Sequence, residues 1–168
     1  LVILAAWGIK ESVTVAALFT VMEIGIVLAA IWFGRESLGT LPAMVDAMVP
    51  PLALAGWAPI LAAAAVAFFA YLGFEDMVNV AEEVKDVSRN LPLAILLTLG
   101  VSTALYVLLT LVAVLSIPLP DLASSSAPMV LLLGQGLAVP PAAAALITFF
   151  AVLNGALIQI IMASRMLY

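Results

Sequence analysis

Phe68-Phe69-Ala70-Tyr71-Leu72-Gly73-Phe74-Glu75-Asp76 places a glycine and two adjacent carboxylates inside an apolar run long enough to cross a bilayer. A charged side chain at membrane depth costs at least about 2.5 to 3.5 kcal/mol on insertion scales, and such groups normally face a protein interior or a wet cavity. An unbroken helix here packs Tyr71 and Phe74 as core and carries Glu75 and Asp76 toward an interface. A break at Leu72-Gly73 frees backbone groups to line a cavity, with the two aromatic rings beside it. At the level of the residues both readings stand.

The remainder of the chain identifies the solvent around this segment. Hydrophobic residues make up 67% of the 168 and charged residues 9%, against roughly 45 to 50% and 25% in a soluble domain. This is the composition of an integral membrane protein, whose first partner is the lipid bilayer. Cys and His are both absent, which removes disulfides and thiolate metal sites and leaves any proton chemistry to carboxylates and Lys. The net charge of -5 includes no basic tract, so nothing points to nucleic acid. No nucleotide-binding loop, zinc-ligand spacing or nucleophile elbow occurs, and neither a cofactor nor a metal nor an enzymatic activity is expected. The chain opens inside an apolar run without an initiator Met or the basic start of a signal peptide, so the expectation is a segment of a longer protein.

A span needs roughly 20 apolar residues at the helical rise of about 1.5 Å per residue. Four stretches qualify, at 13–33, 57–80, 93–117 and 140–164, with 1–9 read as the tail of a preceding helix. The fold class is therefore all-α and polytopic. Lys10-Glu11-Ser12 reads as a tight connection, 34–56 as a longer one, and 82–92 as a charged junction that ends in a helix-starting proline, Pro92. Within 118–139 the apolar piece Met129 to Leu133 reads as a surface helix or a re-entrant turn. Lys10, Lys85, Arg89 and Arg165 fall on one side and Arg35 alone on the other. The positive-inside rule then puts the loops around 10–12, 82–90 and after 164 in the cytoplasm of a cell-membrane protein.

Glu23 lies at about 15 Å from the cytoplasmic end of its span, in the middle of the bilayer. One reading is a carboxylate that faces the bundle interior and takes up a proton or pairs with a cation; the other is a hydrogen-bonded Glu that only joins helices. Asn154 and Gln159, within the last span, fit interhelical hydrogen bonding. Asn154, Glu75 and Asp76 are also candidates for a gate or polar network. Broken helices at the midplane are how membrane transporters build substrate sites, which makes the Tyr71 to Asp76 segment the candidate centre.

These residues resemble a known family. The run from Phe68 to Asp76, followed by Ala81-Glu82-Glu83-Val84-Lys85 and Arg89-Asn90-Leu91-Pro92-Leu93-Ala94-Ile95, is similar to the sixth helix and following loop of amino acid permeases. These belong to the amino acid, polyamine and organocation superfamily. Gly8-Ile9-Lys10-Glu11-Ser12 resembles the junction of the fourth and fifth helices, and Ala163-Ser164-Arg165-Met166-Leu167-Tyr168 the end of the eighth. The cationic amino acid transporter-like branch is the most similar.

The resemblance implies a single transporter domain, covered here from the end of helix four to helix eight of a fold with two inverted five-helix repeats. It implies an amino acid substrate, alternating access, and a sixth helix unwound at Ala70, Tyr71, Leu72, Gly73 and Phe74, whose carbonyls take the substrate ammonium. Phe74 then lies near an aromatic gate. Several family members carry a Lys three residues after a Thr in helix five, serving proton coupling; Thr20-Val21-Met22-Glu23 has Glu there, which leaves a coupling proton or another cation as alternatives. A membrane scaffold or partner subunit is the competing reading, disfavoured by midplane carboxylates that a scaffold does not need. An intramembrane enzyme would need a nucleophile and base at a spacing that is not found.

Overall fold

The computed structural model describes residues 9–50, 53–73, 76–79 and 81–166, and every regular element among them is helical. Helix α1, Ile9–Gly34, is followed by a 3-10 turn, Arg35–Thr40, and the short helix α2, Leu41–Met48. Helix α3, Leu54–Phe68, tightens into a second 3-10 turn, Phe69–Tyr71. The short helix α4, Asp76–Asn79, and a turn at Ala81–Glu83 lead to α5, Val87–Ser116. Two short helices, α6 (Leu119–Ser124) and α7 (Pro128–Leu133), precede α8, Pro141–Met166.

Proline sets several of these starts. Pro42, Pro120, Pro128 and Pro141 lie in the first turns of α2, α6, α7 and α8, where a missing N-H has no helical partner to lose. Helix α5 begins otherwise. Asp86 adopts a left-handed φ of 49°, which Asp tolerates, and its carbonyl accepts the N-H groups of Arg89 and Asn90 at 3.0 and 2.9 Å. The Asn90 side-chain nitrogen donates to the Lys85 carbonyl at 2.6 Å. Pro92 therefore lies inside α5 rather than at its start. Lys10-Glu11-Ser12 likewise belongs to α1 and is not a connection. Polarity alone does not end a helix, and Lys and Glu are good helix formers.

Three stretches are long and apolar enough to cross a membrane among the described residues: Thr14–Asp46, Val87–Ser116 and Ala142–Ile160, with mean hydropathies of 2.2, 2.3 and 2.0. Ala55–Tyr71 is apolar but shorter. The stretch 57–80 is thus not one continuous helix; its chain leaves helical geometry after Tyr71.

The described residues form two compact units, one made of those up to Leu38 together with those from Leu108 onward, the other of Gly39–Val107. In the first, α1 and α8 run antiparallel: Ala16 packs with Leu157 near one end, and the Phe19 and Phe150 rings lie 5.6 Å apart. Toward the other end, Ala30 is buried with Val112, Ile117, Leu132 and Leu133. Ala30 and Gly34, one helical turn apart, present the small surface that lets helices approach closely in lipid, where packing rather than water exclusion drives association. A Cβ on Gly34 would stand 2.1 Å from Val112 Cγ1. The piece Met129 to Leu133 thereby finds its place: α7 buries Leu132 and Leu133 against this core, so it is neither a free surface helix nor a bare turn. In the second unit, the 3-10 turn after α3 is joined to α5 by side chains described next.

Candidate functional site

The backbone break comes first. Leu72 is extended, with φ -62° and ψ 138°, and its N-H donates to the Phe69 carbonyl at 3.3 Å. Gly73 follows at φ 114°, outside the region that residues with a Cβ adopt without strain. The polypeptide therefore turns where an apolar helix would otherwise continue. Glycine supplies the one backbone able to do so cheaply.

Two hydroxyls hold the turn to α5. The Tyr106 hydroxyl donates to the Ala70 carbonyl at 3.0 Å, and the Tyr71 hydroxyl donates to Thr103 Oγ1 at 3.1 Å. Thr103 and Tyr106 lie three residues apart, on one face of the helix. The two tyrosine rings meet edge to face at 5.4 Å, a favoured aromatic geometry. Ala70, Tyr71, Leu72 and Gly73 are thus neighbours on one turn. Phe74 and Glu75 lie outside the described residues, as does the Asp76 side chain, whose backbone opens α4.

The second group of polar residues belongs to the other unit. Asn154 is 5% exposed, and its Nδ2 donates to Glu23 Oε2 at 2.9 Å and to Thr20 Oγ1 at 3.2 Å. The Thr20 hydroxyl in turn donates to the Ala16 carbonyl at 3.0 Å, one turn back along α1. The carboxyl oxygen accepts this bond and the amide nitrogen donates it. The cost appears on the other atom: Asn154 Oδ1 is buried and has no hydrogen-bond donor among the described residues.

Glu23 and Asn154, singled out separately in the sequence, are therefore one contact across helices α1 and α8. Tyr106 and Thr103 were not foreseen. Their one sequence signal is a tyrosine in the interior of an uncharged apolar span, since a phenolic hydroxyl held away from water needs a partner.

A family model described as amino acid permease matches residues 1–168. The chain belongs to the amino acid permease family. It is 39% identical over 133 residues to a protein named cationic amino acid transporter 4, vacuolar, of Arabidopsis thaliana, covering 74% of this chain and 22% of that protein. A methylthioribose transporter of Bacillus subtilis (strain 168) is 35% identical over 105 residues, covering 62% of this chain and 22% of its own length. A branched-chain amino acid permease of the same organism is 31% identical over 126 residues, covering 75% and 26%. The chain thus spans roughly a quarter or less of the length of these relatives, and no solved structure matches it. Family and apolar helices together make this permease segment part of a multi-pass, all-helical membrane protein, and its resemblance to the cationic transporter branch holds.

Proposed function

We propose that the chain is the central part of a secondary transporter that moves amino acids across a membrane by alternating access, with the turn at Ala70 to Phe74 supplying half of the substrate site. The observation that carries this reading is the backbone break itself: an extended Leu72 and a Gly73 at φ 114° interrupting an apolar helix. Irregular backbone at membrane depth is tolerated where it is enclosed by protein or lines a wet cavity, and helix ends there present carbonyl dipoles to a cation. The substrate's ammonium is such a cation. Phe74 serves as the aromatic gate beside it, and Glu75 and Asp76 belong to the adjoining polar network.

Glu23 and Asn154 provide the coupling site. The carboxylate lies on α1 with the buried amide of α8 against it, and the amide oxygen left without a donor favours a site that gains a proton or another cation during the cycle. The four-to-one charge asymmetry supports a cytoplasmic position for the residues around 10–12, 82–90 and after 164, within one transporter domain built on inverted five-helix repeats.

The test is uptake by the full-length protein in proteoliposomes. Labelled lysine, leucine and methylthioribose cover the substrates for which the relatives are named, with a pH or sodium gradient imposed in turn. Saturable, gradient-driven uptake of an amino acid is expected. Uptake of methylthioribose alone, a sugar without an ammonium group, would overturn the ammonium-binding role of the break.

A further inference from the structure

The carbonyl of Ala70 lies in the turn proposed to receive the substrate, yet it already has a donor: the Tyr106 hydroxyl of α5, at 3.0 Å. A phenol and an alkylammonium make the same demand on such an oxygen, since each brings a polarised hydrogen to a lone pair. The ammonium makes the stronger bond because it is charged. Among the described residues the Tyr106 side chain is 41% exposed, and the ring it meets there is Tyr71, which has its own anchor on Thr103. The hydroxyl can therefore leave without dismantling the turn, which Tyr71 still ties to the same face of α5.

From this we infer that Tyr106 is an exchangeable internal ligand: its hydroxyl occupies the Ala70 carbonyl while the site is empty, and a primary ammonium on the substrate takes its place. The inference rests on the transport reading above and adds a specificity-determining residue to it. A substrate whose ammonium approaches the lone pair that Tyr106 holds must displace an internal hydrogen bond. A substrate with a charged ammonium recovers that cost, whereas an uncharged analogue of the same shape does not. Selection for ammonium thus operates through competition as well as attraction.

The consequence separates this role from simple packing. Removing a hydroxyl that only supports the turn weakens binding. Removing a competitor leaves the carbonyl without a donor in the empty site, so the substrate gains more on arrival. The Tyr106→Phe variant of the full-length protein should therefore bind its amino acid about threefold to tenfold more tightly, the range set by one net hydrogen bond. Tyr71→Phe, which breaks only the tie to Thr103, should bind no more tightly than wild type.

Equilibrium binding of radiolabelled lysine and leucine to purified protein in nanodiscs measures this directly. Saturable wild-type binding together with unchanged or weaker binding by Tyr106→Phe overturns the inference and leaves the transport reading in place. Absence of amino acid binding by the wild type overturns both. A second measurement does not depend on the folding of the variant: 3-fluorotyrosine placed at position 106 should show a 19F shift on saturation with the amino acid. An unmoved resonance at saturation would overturn the exchange.

Discussion

Asn154 Nδ2 stands 2.9 Å from Glu23 Oε2 and joins α1 to α8 across 131 residues of sequence. The same nitrogen reaches Thr20 Oγ1 at 3.2 Å, so one buried amide connects two polar positions of α1 that are three residues apart. Within lipid such a contact serves two ends. It gives the Glu23 carboxyl a donor, and it ties two antiparallel helices that also meet through apolar residues such as Ala16 and Leu157.

The first prediction separates those two ends. Asn154→Leu removes the donor and leaves Glu23 to face an apolar side chain, with an expected loss of about 1 to 3 kcal/mol of stability. Glu23→Gln keeps the shape and offers a carbonyl oxygen that can still accept from Asn154, so it should cost less. Thermal unfolding of the full-length protein in detergent, followed by size-exclusion chromatography, ranks the two. Equal losses would indicate that the pairing depends on the carboxylate charge and not on the hydrogen bond alone.

The second prediction concerns coupling. Glu23→Gln cannot gain or lose a proton, so uptake should lose its response to an imposed pH or cation gradient while exchange of substrate at equilibrium persists. Counterflow in proteoliposomes measures exchange, and gradient-driven uptake measures coupling. If gradient-driven uptake matched wild type, Glu23 would be reduced to a helix contact.

The third follows from a close approach in the first unit. A Cβ at Gly34 would lie 2.1 Å from Val112 Cγ1, on a buried face, so Gly34→Ala forces Val112 or the helices that carry the pair to shift. Overpacking of this kind costs about 1 to 3 kcal/mol. Val112→Ala removes the obstructing methyl groups, and the double variant should recover most of the thermal stability lost by the single one. Failure of that rescue would mean that Gly34 is needed for its backbone rather than for space.

What could be read from the sequence and what could not divide on a physical line. Signals carried by one segment were legible: the apolar length of α1, α5 and α8, and the glycine among aromatics and acids, where the residues left a continuous helix and a break at Leu72-Gly73 both open. A local pattern can also mislead, as at Lys10-Glu11-Ser12, where polar residues suggested a connection and the helix continued through them. Pairings across the chain left no local trace. Glu23 and Asn154 each stood out as polar residues in lipid, but nothing in either span says that one faces the other. Tyr106 was passed over inside an uncharged span, because its partner is the carbonyl 36 positions earlier that accepts its hydrogen bond. The burial of Leu132 and Leu133 is of the same kind, since a six-residue apolar helix reads alike whether lipid or protein covers it.

The fourth prediction tests the orientation that the basic residues imply. Ser126 and Ser88 are both exposed, and the charge asymmetry puts them on opposite sides of the membrane. In intact cells a single cysteine at position 126 should react with a membrane-impermeant thiol reagent, whereas one at position 88 should react only after permeabilisation. The reverse pattern would invert the topology and place the Lys85 and Arg89 loop outside.

The last prediction asks whether the break depends on space or on backbone. An ideal Cβ at Gly73 meets no atom within 4 Å among the described residues, so none of them obstructs a side chain. The obstacle is φ at 114°, a conformation that L residues adopt only under strain of about 1 to 3 kcal/mol. Gly73→Ala should therefore impair amino acid binding nearly as much as Gly73→Leu, because both force the turn toward helical or extended geometry, and bulk adds little. Membrane insertion should survive in both, as alanine and leucine are well tolerated in an apolar span. Binding measured alongside the yield of folded protein distinguishes the causes. A graded loss, small for alanine and large for leucine, would assign the role of Gly73 to the volume of the cavity, and wild-type binding by both would mean that the turn does not form the substrate site.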